Sequence, residues 1–286
     1  MLKIAKISIF LLSFFLSSVI SASESASYLI SQTAFNNYDY NQVLSEYKNA
    51  SKENFKDDYL DELISAVIIE DIKLAENISK KILLIDPNNQ EAKLVSMVIA
   101  LNNGNTTELK DLRFEENNTK NDLFEFLFFL NDKIKKNNDV SKSFLEIVRS
   151  SYSKNTNDSY QNYSFLLFYT TLSIIMDNKN YEAILIKGQL LQMINDYFFA
   201  EATYLKIPAS NDYFIDAQRN IAFNYSEENG FDDVENKITT IVKKNNDDYE
   251  LKKLLADFYR IEKKYNIAIE IYSELIDTKP NDLWYT

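Results

Sequence analysis

The chain has 286 residues, 31 of them basic and 43 acidic, for a net charge of −12, and it contains neither histidine nor cysteine. Those two absences exclude disulfides, thiolate and imidazole metal sites, a cysteine nucleophile and any histidine-dependent triad. An acidic surface repels phosphate backbones and anionic lipid heads, so nucleic acid is not an expected partner.

Residues 1–22 read as a secretory signal peptide. Lys3 and Lys6 form a positive end, Ile7 to Ile20 is a 14-residue apolar run, and Ser21-Ala22-Ser23 supplies small residues for cleavage. A transmembrane helix needs about 20 apolar residues, so no span is expected in the mature form. Loss of Lys3 and Lys6 takes the net charge from −12 to −14. With no cysteine, a lipid anchor on that residue type is excluded, and export without lipidation is the expectation.

From residue 23 to 105 the spacing is that of degenerate helical pairs. Ile30, Ala34, Tyr40, Val43, Tyr47 and Ala50 keep helical intervals around a turn at Asn36-Asn37. Ala75 and Pro87 stand twelve apart, and proline ends a helix because it cannot continue the hydrogen-bond ladder. Gly104 falls in a turn between two helices, where a left-handed backbone is easiest for glycine. Residues 106–164 lose register: the run from Leu123 to Leu130 is too apolar for one exposed face and predicts a buried core helix, and Ser143 to Tyr152 predicts an amphipathic one. Residues 165–214 again carry degenerate pairs, with Ala200, Tyr204 and Ile207 preceding Pro208 at second-helix spacing.

The clearest pattern is an offset of 34 residues between 215–248 and 249–282. Ile221/Leu255, Ala222/Ala256, Tyr225/Tyr259, Phe231/Tyr265, Val234/Ala268, Ile238/Tyr272 and Ile241/Leu275 agree position by position. Each block holds two apolar stripes, one per helix, separated by Glu228-Asn229-Gly230 or by Glu262-Lys263-Lys264. Self-similarity at this period signals units that stack on their neighbours.

These residues resemble the tetratricopeptide repeat family. Leu255, Ala256, Tyr259, Tyr265, Ala268, Tyr272 and Pro280 fill its pattern, Asp86-Pro87-Asn88-Asn89 is similar to its inter-repeat turn, and the usual first-helix tryptophan is replaced by Gln218 and Lys252. The resemblance implies an all-α, right-handed superhelical solenoid of antiparallel helix pairs, and a further unit opening at Leu283-Trp284-Tyr285-Thr286, as in a truncated chain. It also implies an inner wall made by the second, fifth, ninth and twelfth places of each first helix: Asp216, Arg219, Phe223 and Ser226, then Glu250, Lys253, Asp257 and Arg260. The binding residues expected from it are Arg219, Phe223, Lys253, Asp257 and Arg260. The Lys and Asn that clamp a carboxylate terminus in peptide-binding members are not reproduced by Arg219/Phe223 or Lys253/Asp257. The run from Ala200 to Tyr272 looks like longer repeat proteins of Gram-negative, particularly alphaproteobacterial, bacteria, which makes the expected location the periplasm.

Nothing in the sequence looks catalytic. The pairs Asp57/Asp58, Asp232/Asp233 and Asp247/Asp248 sit at predicted turns or helix starts, where a carboxylate caps the helix. The expectation is a non-enzymatic scaffold that binds a protein or peptide, needs no cofactor and no metal, and serves an envelope assembly. The second reading is the superhelical arm of a peptidoglycan-cleaving lytic transglycosylase whose catalytic domain lies beyond Thr286.

Overall fold

A computed structural model describes residues 26–49, 59–105, 137–154, 163–228, 231–245 and 248–278, and every regular element among them is a helix. Residues 1–25, Ala50, Asp57/Asp58, the Phe-rich run, Gly230, Asp247 and residues 279–286 with Pro280 lie outside the described residues, as do the side chains of Tyr225, Ser226, Phe231, Asp232, Asp233 and Val234. The chain divides into two compact units, Met1–Asn180 and Tyr181–Thr286.

Unit 1 contains α1 (26–36), α2 (Tyr40–Asn49), α3 (Tyr59–Ile68), α4 (Ile72–Ile85), α5 (Gln90–Asn102), α6 (Asn137–Lys154) and α7 (Tyr163–Met176). Unit 2 contains α8 (Tyr181–Met193), α9 (Tyr197–Tyr204), α10 (Phe214–Glu228), α11 (Phe231–Lys244), α12 (Tyr249–Ile261) and α13 (Tyr265–Thr278). The amphipathic helix expected around Ser143 to Tyr152 is α6.

One turn design recurs in both units. The first helix ends on a residue with a left-handed backbone, and the next residue's N–H reaches back to the carbonyl five places earlier. Tyr38, Glu70, Gly104, Asn195 and Lys263 have φ between 60° and 68°. The bonds Asp39 N to Ala34 O, Asp71 N to Ala66 O, Asn105 N to Ala100 O, Asp196 N to Leu191 O and Lys264 N to Tyr259 O measure 2.8–2.9 Å. This is a Schellman closure, which satisfies carbonyls that the helix end leaves open. Glycine occupies only one of the five left-handed positions, so the turn tolerates the cost of a side chain there. At three of them the following aspartate also starts the second helix: Asp39, Asp71 and Asp196 accept from Gln42, Leu74 and Phe199 N–H at 3.0, 3.1 and 3.3 Å. Asn89 and Asp248 cap α5 and α12 in the same way, as expected for Asp248.

Unit 2 holds three consecutive pairs, α8/α9, α10/α11 and α12/α13, in one register. The first begins at Tyr181, 34 residues before the first block read from the sequence. Gly188, Ala222 and Ala256 are equivalent and buried. So are Tyr204 and Ile238, both fully enclosed, whereas the equivalent Tyr272 is only half-buried; Ile207, Ile241 and Leu275 are likewise equivalent and buried. At Gly188 the notch is deepest: a Cβ built there would stand 2.3 Å from Tyr204 Cε1. First helices α8, α10 and α12 pack side by side, and each second helix packs on the first helix that follows it.

A glutamate couples successive pairs. Glu201 on α9 accepts from Lys237 Nζ on α11 at 2.6 Å, and Glu235, 34 places later, accepts from Lys264 Nζ at 2.7 Å and from the Tyr259 hydroxyl at 2.9 Å. The bond from Lys264 holds the Glu235 carboxyl below its usual range. Loss of water, then the Glu235 charge, pushes Tyr259 up. At the next equivalent position stands Ile269, 61% exposed.

Unit 1 departs from nearest-neighbour stacking. Helix α7 pairs with α6 and also packs across α3 and α5, first helices that lie far earlier in the chain. It is buried around most of its circumference through Leu166, Leu167, Phe168, Tyr169 and Leu172, the pattern of a helix enclosed on several sides. Ser141 Oγ of α6 donates to Ser173 O of α7 at 2.8 Å while Ser173 Oγ donates to Ser141 O at 2.7 Å, an exchange that needs close helices. The Tyr40 hydroxyl meets Ser164 Oγ at 3.1 Å, tying α2 to the start of α7. Ala34, Tyr40 and Val43 are buried as expected, whereas Ile30, expected in the same inward stripe, is largely exposed. It lies with Leu29 on the open side of α1, along a shallow depression with Thr33 and Gln42.

Candidate functional site

The first helices of unit 2 carry the candidate face. Asp216, Arg219 and Phe223 lie on α10, and Glu250, Lys253, Asp257 and Arg260 occupy the equivalent places, with one more, on the adjacent α12. Spacings of three and four place each set along one side of its helix, so equal register on neighbouring helices puts the two sets on a common face. Ser226 falls within α10, but its side chain lies outside the described residues.

Both arginines are steadied within their own helices. Arg219 Nη1 is 2.9 Å from Asp216 Oδ1, with both side chains half exposed. Arg260 Nη2 is 3.5 Å from Asp257 Oδ1, and the Tyr272 hydroxyl of α13 donates to that same oxygen at 2.6 Å. Burial, then the bond to Asp257, raises Tyr272. Exposed pairs of this kind contribute little stability, and a planar guanidinium held by one carboxylate keeps further N–H donors for a second acceptor. Phe223 is 53% exposed, one turn beyond Arg219. Lys253 is partly exposed. The face thus offers an aromatic plate, anchored donors and carboxylate acceptors, with cations and anions nearly balanced.

The equivalent places on α8 are Glu182, Leu185, Gln189 and Gln192. Leu185 is buried. The Gln192 amide donates to Asn224 Oδ1 on α10 while its carbonyl accepts from the Tyr204 hydroxyl. A glutamine there bridges two first helices and anchors the tyrosine beneath them. Sequence reading omitted Gln189, Gln192 and Asn224, although the offset of 34 from Phe223 and Ser226 leads to the two glutamines.

No group of three or more metal-ligating side chains comes together among the described residues, and no described helix is long and apolar enough to cross a membrane.

Small residues at Gly188, Ala222 and Ala256, a constant stride and the left-handed turn between paired helices give unit 2 a tetratricopeptide-like construction. No protein-family model matches the chain, and no curated protein does either. Among solved structures, the chain is similar to the MamA protein at 14% identity and a TM-score of 0.34, over 79% of this chain and 93% of that one. It is similar to yeast Tom70 at 12% identity and a TM-score of 0.34, over 91% and 76%. It is similar to the TPR domain of P58(IPK) at 11% identity and a TM-score of 0.29, over 91% and 94%. At scores this low nothing about this chain rests on them.

Proposed function

We propose that this protein is a non-enzymatic, exported scaffold that holds a protein or peptide against the first-helix face of unit 2, within an envelope assembly of a Gram-negative bacterium. The observation that carries the reading is the open face around Phe223, on helices whose counterparts in unit 1, α3 and α5, are covered by α7. An exposed aromatic beside steadied donors suits capture of a chain segment: the ring buries apolar area, and the arginines supply directional bonds. The near balance of charge favours a segment that is itself close to neutral.

Peptides selected from a displayed random library on the full chain provide the test. Phe223→Ala and Arg219→Ala are each expected to weaken the selected peptides at least tenfold with helix content unchanged. Selected peptides that bind both variants as well as the parent refute the assigned face. For export, residues 1–30 fused to a periplasm-dependent phosphatase are expected to yield active enzyme cleaved near Ser21 to Ser23, and an inactive, uncleaved fusion refutes it.

A further inference from the structure

The three first helices of unit 2 share a register, and α10 departs from the other two at places one turn apart. Where α8 has Ile186 and Leu190 and α12 has Leu254 and Phe258, α10 has Asn220 and Asn224. The fold accepts apolar side chains at both places, so packing does not require the two amides. Asn224 is nevertheless 1% exposed. Its Oδ1 accepts from Gln192 Nε2 of α8, which also lies 3.4 Å from Asn220 O, while its Nδ2 has no acceptor among the described residues. A buried donor left over in this way costs free energy that a leucine at the same place would not. Gln192 shows what the seat accepts: its carbonyl takes the Tyr204 hydroxyl proton and its amide donates to Asn224, so one carboxamide bridges two fixed groups. Gln192 is half-buried at an inner-wall place, so the seat is approached from the first-helix face.

We infer that this seat between α8 and α10 takes the carboxamide of an asparagine or glutamine in the bound segment, which displaces that of Gln192. The inference rests on the reading of the first-helix face as the binding surface and adds a specificity-determining subsite to it. Two carboxamides can close a ring of two hydrogen bonds, each donating to the other's oxygen. Gln192, tethered to α8, makes only one of those bonds with Asn224. A side chain arriving from outside is free of that tether. Its N–H donates to Asn224 Oδ1, and its oxygen, with two lone pairs, accepts from Asn224 Nδ2 and from Tyr204. A carboxylate has no donor for Oδ1, and an apolar side chain has neither donor nor acceptor. Packed helix axes stand about 8–10 Å apart, which admits a side chain into the seam but not a main chain. The displaced Gln192 amide turns out to solvent, where water satisfies it. The subsite thus selects for a neutral polar side chain beside whatever Phe223 holds.

Peptides selected on the full chain from a displayed random library supply the probe. They are expected to share one position held by glutamine or asparagine, and changing it to methionine or glutamate should weaken binding to the parent at least tenfold. Asn224→Leu, which restores the residue type found at Leu190, should cut that penalty to less than twofold with helix content unchanged. Gln192→Ala, which removes the resident carboxamide, should strengthen binding of the same peptides at least threefold, the opposite of what loss of an ordinary contact does. Selected peptides without a carboxamide position, a penalty undiminished in Asn224→Leu, or no gain in Gln192→Ala overturns the subsite. If such peptides still depend on Phe223 and Arg219, the face stands and only the subsite falls. A library that yields no binder, or binders indifferent to Phe223 and Arg219, removes the face and the subsite together.

Discussion

Replacing Gly188 by alanine isolates the packing rule on which unit 2 is built. On an open helix the change stabilises by about 1 kcal/mol, because alanine loses less backbone freedom than glycine. Here the new methyl would sit 2.3 Å from Tyr204 Cε1, 2.6 Å from Cζ and 2.7 Å from Cδ1. Optimal carbon contacts lie at about 3.5–4.0 Å, so ring and helix must separate by more than an ångström. Tyr204 cannot yield freely: it is fully enclosed, and its hydroxyl is bonded to Gln192, which is bonded in turn to Asn224. Overpacking of this kind costs about 1–3 kcal/mol, which leaves a net loss of up to about 2 kcal/mol after the helix gain. The next pair shows the remedy, since alanine at 222 coexists with isoleucine at 238. Tyr204→Ile in the Gly188→Ala background should therefore recover at least about 1 kcal/mol relative to the sum of the single changes, a coupling expected only for side chains in contact. Urea unfolding followed by far-UV circular dichroism gives the four stabilities, and hydrogen exchange of peptides within 181–207 locates the loss. A Gly188→Ala chain more stable than the parent, as on an open helix, or strictly additive effects, would refute the notch.

Two further outcomes follow from the same register. Ala256→Trp should cost about 1–3 kcal/mol by forcing α12 and α13 apart, with hydrogen exchange rising first in 249–278; unchanged unfolding contradicts the register. Glu235→Gln should cost about 0.5 kcal/mol at pH 7, a small figure because the carboxylate is still partly solvated. Its carboxyl is depressed in the folded state, so the stabilisation is full above the unfolded value of about 4.3 and disappears as pH falls through the folded value. The gap between parent and Glu235→Gln should thus close on acidification to pH 3, and a gap that persists there rules out the ionic origin.

Local spacing was enough to recover the helices of 215–278, because Ile221, Ala222, Ile238, Tyr259, Ala268 and Leu275 combine burial with a fixed stride. The first pair of unit 2 was only half legible. Its second helix announced itself through Ala200, Tyr204 and Ile207, but its first has Lys187 and Leu191 where the later pairs have Ile221 or Leu255 and a tyrosine. Gly188 was the available signal, lying 34 residues before Ala222. The role of α7 was harder to read, since period and hydropathy identify a helix but not which distant neighbours cover it. Its apolar character on every side was nonetheless a sign of multiple contacts. Ile30 illustrates the converse: helical spacing put it in an inward stripe, yet α1 has no neighbour on that side among the described residues. For the candidate face, register located Arg219, Phe223, Lys253, Asp257 and Arg260, whereas the pairing of each arginine with a carboxylate and the bridge from Gln192 needed side-chain positions.

The glutamate couplings also bear on modularity. One joint uses a lysine from the following second helix, the next uses a tyrosine and a turn lysine, and the equivalent place after that holds isoleucine, so each seam is keyed to its own neighbours. Transposing the last two blocks would put Ile269 where a carboxylate had received two donors, and Gly230 where an ammonium had stood. This array is an ordered sequence of non-interchangeable parts, and shuffled or duplicated versions of it would need their seams redesigned.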